Sequence, residues 1–133
     1  MSVAYWAGYP RSWSKGRSRP VQYIVVHCTV GSEGPSSAES GHAYDLVRTD
    51  GTSTHVFVDS NSVAREVPDG DRAHHARFHG NEIGLGMELC GYIQTREQWL
   101  DSVSRAAIRQ VAEYIVAKGR QYNIPFHKLS VAE

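Results

Sequence analysis

Two short apolar runs, Tyr23-Ile-Val-Val-His-Cys-Thr29 and Ile83 to Cys90, most limit what this chain can become. Both are strand-length. Ile24, Val25 and Val26 are consecutive β-branched residues between polar neighbours, the pattern of a strand buried on both faces. Ile83 to Cys90 reads as a second buried strand. Between them, Thr54-His-Val-Phe-Val-Asp59 and Ser62-Val-Ala-Arg-Glu-Val67 flank Ser60-Asn61 and predict a β-hairpin. Helical signals alternate with these strands. Ser36-x-x-Glu39 has the form of a capping box and predicts a helix to about Val47. A second box, Thr95-x-x-Gln98, precedes Leu100, Val103, Ala107, Val111, Tyr114 and Ile115 at helical spacing, with an end expected near Gly119. The expectation is an α/β domain, a mixed central sheet flanked by helices.

The 133 residues suffice for one domain with a core, and the 41% hydrophobic content is that of an ordinary globular chain. A formal net charge of zero gives no global attraction to nucleic acid. No apolar run reaches membrane-spanning length, so no membrane insertion is expected. The start, Met1-Ser-Val-Ala-Tyr-Trp6, lacks the charged and apolar regions of a signal peptide, so the expectation is synthesis in a host cytoplasm, with any action outside it requiring separate release. A monomer is expected. Cys28 and Cys90 both end apolar runs and are expected to be buried free thiols.

Residues 1–20 are read as an N-terminal arm and 21–133 as the main domain. The arm mixes Tyr5, Trp6, Tyr9 and Trp13 with Arg11, Lys15, Arg17 and Arg19. That mixture could bind a polyanion or a polysaccharide; a solvated arm with its aromatics packed on the domain is the favoured reading. At the other end, Ser130-Val-Ala-Glu133 is a capping box with no helix after it, which predicts a chain lacking its C-terminal part.

The chemistry concentrates in a few residues. His27 ends the first strand, where an imidazole is held rigidly and suits a metal ligand or a base; a satisfied core histidine is the competing reading. His55 alternates with Phe57 and is expected in the core or behind the site. Residues 68–82 read as a long loop containing His74, His75 and His79. His75 and His79 have the i,i+4 spacing of a helical zinc pair, but Gly80 and the flanking arginines argue against a helix there. His42 and His127 are expected on the surface. In Gly86-Met-Glu-Leu-Cys90, alternation puts Glu88 and Cys90 on one face, Met87 and Leu89 on the other. A carboxylate in a buried strand needs a partner or a function: a salt bridge, or a base whose pKa burial has raised.

Taken in order, the strand ending His27-Cys-Thr29, the Thr54–Asp59 strand, Val67-Pro-Asp-Gly-Asp-Arg-Ala-His-His-Ala76, Asn81 and Gly86-Met-Glu-Leu-Cys-Gly91 resemble the type-2 N-acetylmuramoyl-L-alanine amidases, which include amidase-type phage lysozymes and peptidoglycan recognition proteins. The resemblance runs from about residue 20 to 125 and is most like a bacteriophage endolysin domain. It implies cleavage of the amide between the lactyl group of N-acetylmuramic acid and L-alanine in peptidoglycan. It implies Zn2+ with His27 as one ligand, Glu88 as general base, and Thr29, Arg72, His75 and Asn81 along the substrate groove. Some members use a tyrosine just before the position of His55; Thr54 stands there, which leaves the role to Glu88.

The family's second histidine, third ligand and a catalytic lysine normally follow the long helix, and residues up to Glu133 do not supply them. The remaining two ligands are therefore expected beyond Glu133, and residues 1–133 alone are expected to be inactive. The alternatives are a non-catalytic peptidoglycan-binding module with an incomplete metal site, and an unrelated hydrolase built on His27, His75 and His79 or on a Cys–His pair. Adjacent residues Cys28 and His27 face opposite ways on a strand, which disfavours the pair.

Overall fold

The computed structural model describes residues 4–129; the capping-box pattern at 130–133 and the first three residues lie outside that range. Strands β1 (Ala4–Trp6), β2 (Tyr23–Cys28), β3 (Val56–Val58), β4 (Val63–Arg65) and β5 (Gly84–Leu89) form one five-stranded sheet in the order β1-β4-β3-β5-β2. β3, β5 and β2 are mutually parallel, β4 is antiparallel to β3, and β1 is parallel to β4. The expected mixed sheet flanked by helices is the observed architecture.

The two faces of the sheet divide the labour. On one, Val56, Val58, Val63 and Met87 pack with Val111 and Tyr114 of the long helix, joined by Ile24, Leu89 and Ile115. On the other, Phe57, Ala64 and Cys90 pack with Ala38. This is the alternation read from residues 86–90, with Met87 and Leu89 on the helix side. Helix α1 (Ser37–Asp45) covers the second face. A Cβ on Gly41 would lie 2.6 Å from the Phe57 ring, so a bare backbone is what lets α1 sit on that ring.

Several local expectations change. Among the described residues β2 is an edge strand paired with β5 alone, so Val26 is 44% exposed and Cys28 is exposed, while Cys90 is buried. β-Branched residues favour extended backbone without specifying how many neighbours the strand will have. Ser36 precedes α1 in a left-handed conformation (φ 71°) with no side-chain cap, and Glu39 instead accepts a hydrogen bond from Ser62 Oγ at 2.8 Å. The Thr95/Gln98 box does form, Gln98 N–H to Thr95 Oγ1 at 3.2 Å and Thr95 N–H to Gln98 Oε1 at 2.9 Å. It opens only a short 3-10 turn over Gln98–Leu100. The long helix α3 (Ser102–Tyr122) is capped separately by Asp101, which accepts from Ser104 N–H at 2.8 Å. α3 runs through Gly119, which packs under the Phe126 ring, and stops at a left-handed Asn123.

The loop expected over 68–82 contains a helix, α2 (Arg77–Ile83), interrupted at Phe78 by non-helical backbone (φ 28°, ψ −112°). The arm is more integrated than the sequence implied. β1 lies in the sheet, and the Arg17 guanidinium donates to the carbonyls of Asp69 (2.6 Å), Glu82 (2.6 Å), Gly84 (3.0 Å) and Asn81 (3.3 Å). One charged group thereby satisfies both ends of the 69–84 segment.

Candidate active site

His27 and Glu88 are Cα partners on adjacent parallel strands, so their side chains share a face, and Phe57 occupies the matching position on Glu88's other side. Glu88 and Phe57 floor a cleft of about 570 Å³ that Thr29, Asp45, Arg48, Thr54, His74 and His75 also line; His27 is not among its lining residues and reaches it through His75. Register alone places a strand-end histidine beside a strand carboxylate.

His75 completes the group. Its imidazole lies over Gly86, where a Cβ would come within 2.5 Å of the ring, and its Nδ1 is 3.2 Å from His27 Nε2. His55, 1% exposed, lies behind it with ring centroids 5.7 Å apart. Asn81 Oδ1 accepts the backbone N–H groups of His75 (2.8 Å) and Ala76 (2.7 Å), which fixes where the His75 backbone sits.

Burial sets the charge states. It lowers His27, and together with the neighbouring His27 charge it lowers His75 to about 4. Burial and the Arg17 charge push His55 to about 3. All three are neutral imidazoles at pH 7. Burial, with the Asp45 charge behind it, raises Glu88 to about 7, and Arg48 opposes this. Glu88 Oε2 is buried and has no hydrogen-bond partner, and no ion pair forms at this carboxylate among the described residues. The salt-bridge reading of Glu88 therefore finds no support.

Not every sequence candidate converges. Thr29 lines the cleft and ties strand ends together by accepting from Gly91 N–H at 3.1 Å. Arg72 pairs with Glu82 at 3.0 Å, and neither it nor Asn81 lines the cleft. His79 approaches Arg19 at 3.2 Å, so the His75/His79 pairing does not form. His42, expected on the surface, meets the fully buried Glu66 at 2.6 Å. Sequence reasoning missed Glu66, Asp45 and Arg48 because nothing in their local pattern marks them; their proximity is created by packing α1 across the sheet.

Among the described residues, no three His, Cys, Asp or Glu side chains form a group that could hold a metal ion. His27 suits a ligand: it is neutral, fixed at a strand end, and presents Nε2 beside the cleft wall. The described residues thus fit zinc as far as they go, and do not complete a set.

Residues 17–132 match the family model described as N-acetylmuramoyl-L-alanine amidase. The chain belongs to the N-acetylmuramoyl-L-alanine amidase family. Solved structures agree on this amidase fold. The structure of PlyL matches with a TM-score of 0.73 at 20% identity, covering 94% of this chain and 77% of that one. A mutant endolysin from Bacillus subtilis matches at 0.72 and 19% identity, covering 94% and 80%. The Drosophila peptidoglycan recognition protein SA matches at 0.66 and 18%, covering 92% and 77%. A search of curated proteins finds no match. Within the amidase family, the match spans β2, the 68–82 segment and β5, which carry His27, His75 and Glu88.

Proposed function

We propose that this chain hydrolyses the amide between the lactyl group of N-acetylmuramic acid and L-alanine in bacterial peptidoglycan. The observation that carries the reading is Glu88: a cleft-floor carboxylate raised to about 7, with one oxygen unpartnered, beside His27 in register. A carboxylate at that pKa can accept a proton from water near neutrality and return it. Glu88 takes the proton of the attacking water as oxygen bonds to the scissile carbonyl carbon. It then delivers that proton to the departing L-alanine nitrogen as the C–N bond breaks. Phe57 and the buried sheet behind it keep bulk water from Glu88 and so hold its pKa up. His75, fixed by Asn81, forms the adjoining wall.

Zn2+, with His27 as one ligand, would supply Lewis acidity to polarise the carbonyl and acidify the water. The lytic role of a phage endolysin, made in the host cytoplasm and released to the wall, is part of the proposal, supported by the likeness to PlyL and the B. subtilis endolysin. The test is to incubate the natural full-length protein with purified peptidoglycan and identify new termini by mass spectrometry. New free L-alanine amino groups support the reading; glycosidic or interpeptide cleavage sinks it.

A second reading, binding of peptidoglycan without turnover, draws on the incomplete donor set among the described residues. Retention on peptidoglycan with no new termini from the zinc-loaded full-length protein would favour it.

A further inference from the structure

The arm carries an aromatic group that the amide chemistry does not use. Trp6 and Tyr9 meet edge-on, with centroids 5.2 Å apart at 82°, and Tyr9 stacks on Trp13 at 4.3 Å and 25°. Trp6 is 48% and Tyr9 42% exposed, although both could have been core residues. The ladder is held in place. Gly8 turns the chain at φ +115°, and Tyr9 Oη donates to Asp71 Oδ2 at 3.3 Å, whose Oδ1 accepts Gly16 N–H at 2.8 Å.

The arm around it is fastened to the cleft wall at two points, once by backbone and once by a side chain. Arg11 N–H donates to the Asp45 carbonyl at 3.1 Å, and Ser14 Oγ lies 2.8 Å from His74 Nε2. Asp45 and His74 both line the cleft. We propose that the outer faces of the Trp6–Tyr9–Trp13 cluster, those left uncovered by the Tyr9–Trp13 stack, form a glycan-binding subsite for the sugar rings of a β-1,4-linked N-acetylhexosamine chain. This choice of sugar rests on the peptidoglycan reading above.

The chemistry favours sugar over the other occupants. A pyranose ring offers a flat C–H face to an aromatic plane and hydroxyls at its rim, which suits rings that are apolar on the face and polar at the tip. Rigid, preorganised aromatics order little on binding. Of the arm's cations, Arg17 is turned inward onto four carbonyls while Arg11, Lys15 and Arg19 are exposed, so a polyanion is set against sugar by the heparin titration below. Sugar bound at the rim would raise the effective concentration of stem peptides linked to the same strand.

The test is titration of the full chain with the tetramer of β-1,4-linked N-acetylglucosamine, read by NMR at the indole N–H groups. Saturable shifts at Trp6 and Trp13, with Trp99 unmoved, are expected. The Trp6→Ala/Tyr9→Ala double variant should bind about tenfold more weakly. Absence of shifts at Trp6 and Trp13 in the unaltered protein overturns the proposal without need of a variant that folds. So do undiminished binding by a folded double variant, equal shifts with heparin, or shifts that follow protein concentration alone. Cleavage of muramoyl-peptide is scored separately: cleavage without tetramer binding removes the subsite alone, and tetramer binding without cleavage removes the amidase reading alone.

Discussion

His27 of β2 and Glu88 of β5 are paired across two parallel strands, and His75 rests over Gly86, two residues before Glu88. Imidazole, carboxylate and loop histidine are thus brought together by one strand register and one glycine. A one-residue slip of β2 against β5 would send His27 to the α3 face and dissolve the site.

Glu88→Gln tests the base directly. It should lower turnover by roughly 10²–10⁴-fold, the usual contribution of a positioned base. The fold should hold, since an amide is easier to bury than a carboxylate with an unpartnered oxygen. Steady-state hydrolysis and a thermal melt on the same preparation check both halves.

The same burial makes stability depend on pH. A carboxylate whose folded pKa lies above its unfolded value contributes stability that is fully present below the unfolded pKa and is lost as pH rises through the folded one. For Glu88 that window runs from the ordinary glutamate range to about 7; for Glu66, raised by burial and by the Asp45 charge, it extends to about 10. His75 and His55 are depressed, to about 4 and about 3, and act in the opposite sense below their ordinary range: stability falls as acid protonates the unfolded chain. Urea titrations at pH 5 and 8 should show Glu88→Gln gaining on the parent as pH rises. A gap that does not change with pH would contradict the assignment.

Gly86→Ala should disrupt the site from beneath. The added methyl would come within 2.5 Å of His75 Cγ, and β5 is too deeply held to yield. A loss of about 1–3 kcal/mol is expected from such overpacking. The His75 ring should be displaced, visible as changed His75 and His27 ring shifts by NMR. Unchanged ring shifts would show that His75 does not lie over Gly86.

How far was this legible beforehand? Strand alternation put Glu88 and Met87 on opposite faces, the hairpin turned where Ser60-Asn61 said it would, and the α3 stripe was visible in its spacing. Edge position was not, because the Ile24–Val26 run looks the same with one neighbour or two. Nor was the role of Arg17: its partners are backbone carbonyls more than fifty residues away, which no local pattern marks. The same holds for His42 and Glu66, joined only when α1 crosses the sheet. The family resemblance puts Asn81 along the substrate groove, and in the fold its Oδ1 accepts from the His75 and Ala76 backbone, a contact no local pattern marks.

Arg17→Ala should loosen the 69–84 segment more than the sheet. Removing a half-buried charged donor from several carbonyls is expected to lower stability by about 2 kcal/mol. Hydrogen exchange should accelerate in residues 69–84 while the amides of β3 and β5 stay protected. Uniform acceleration across the domain would show that the arm supports the whole fold.

The most direct test of the account is mass spectrometry of peptidoglycan fragments released by the natural full-length protein and by its Glu88→Gln variant. The account predicts stem peptides with a free L-alanine amino terminus from the parent and almost none from the variant. Equal release by both, or cleavage at any other bond, would contradict it.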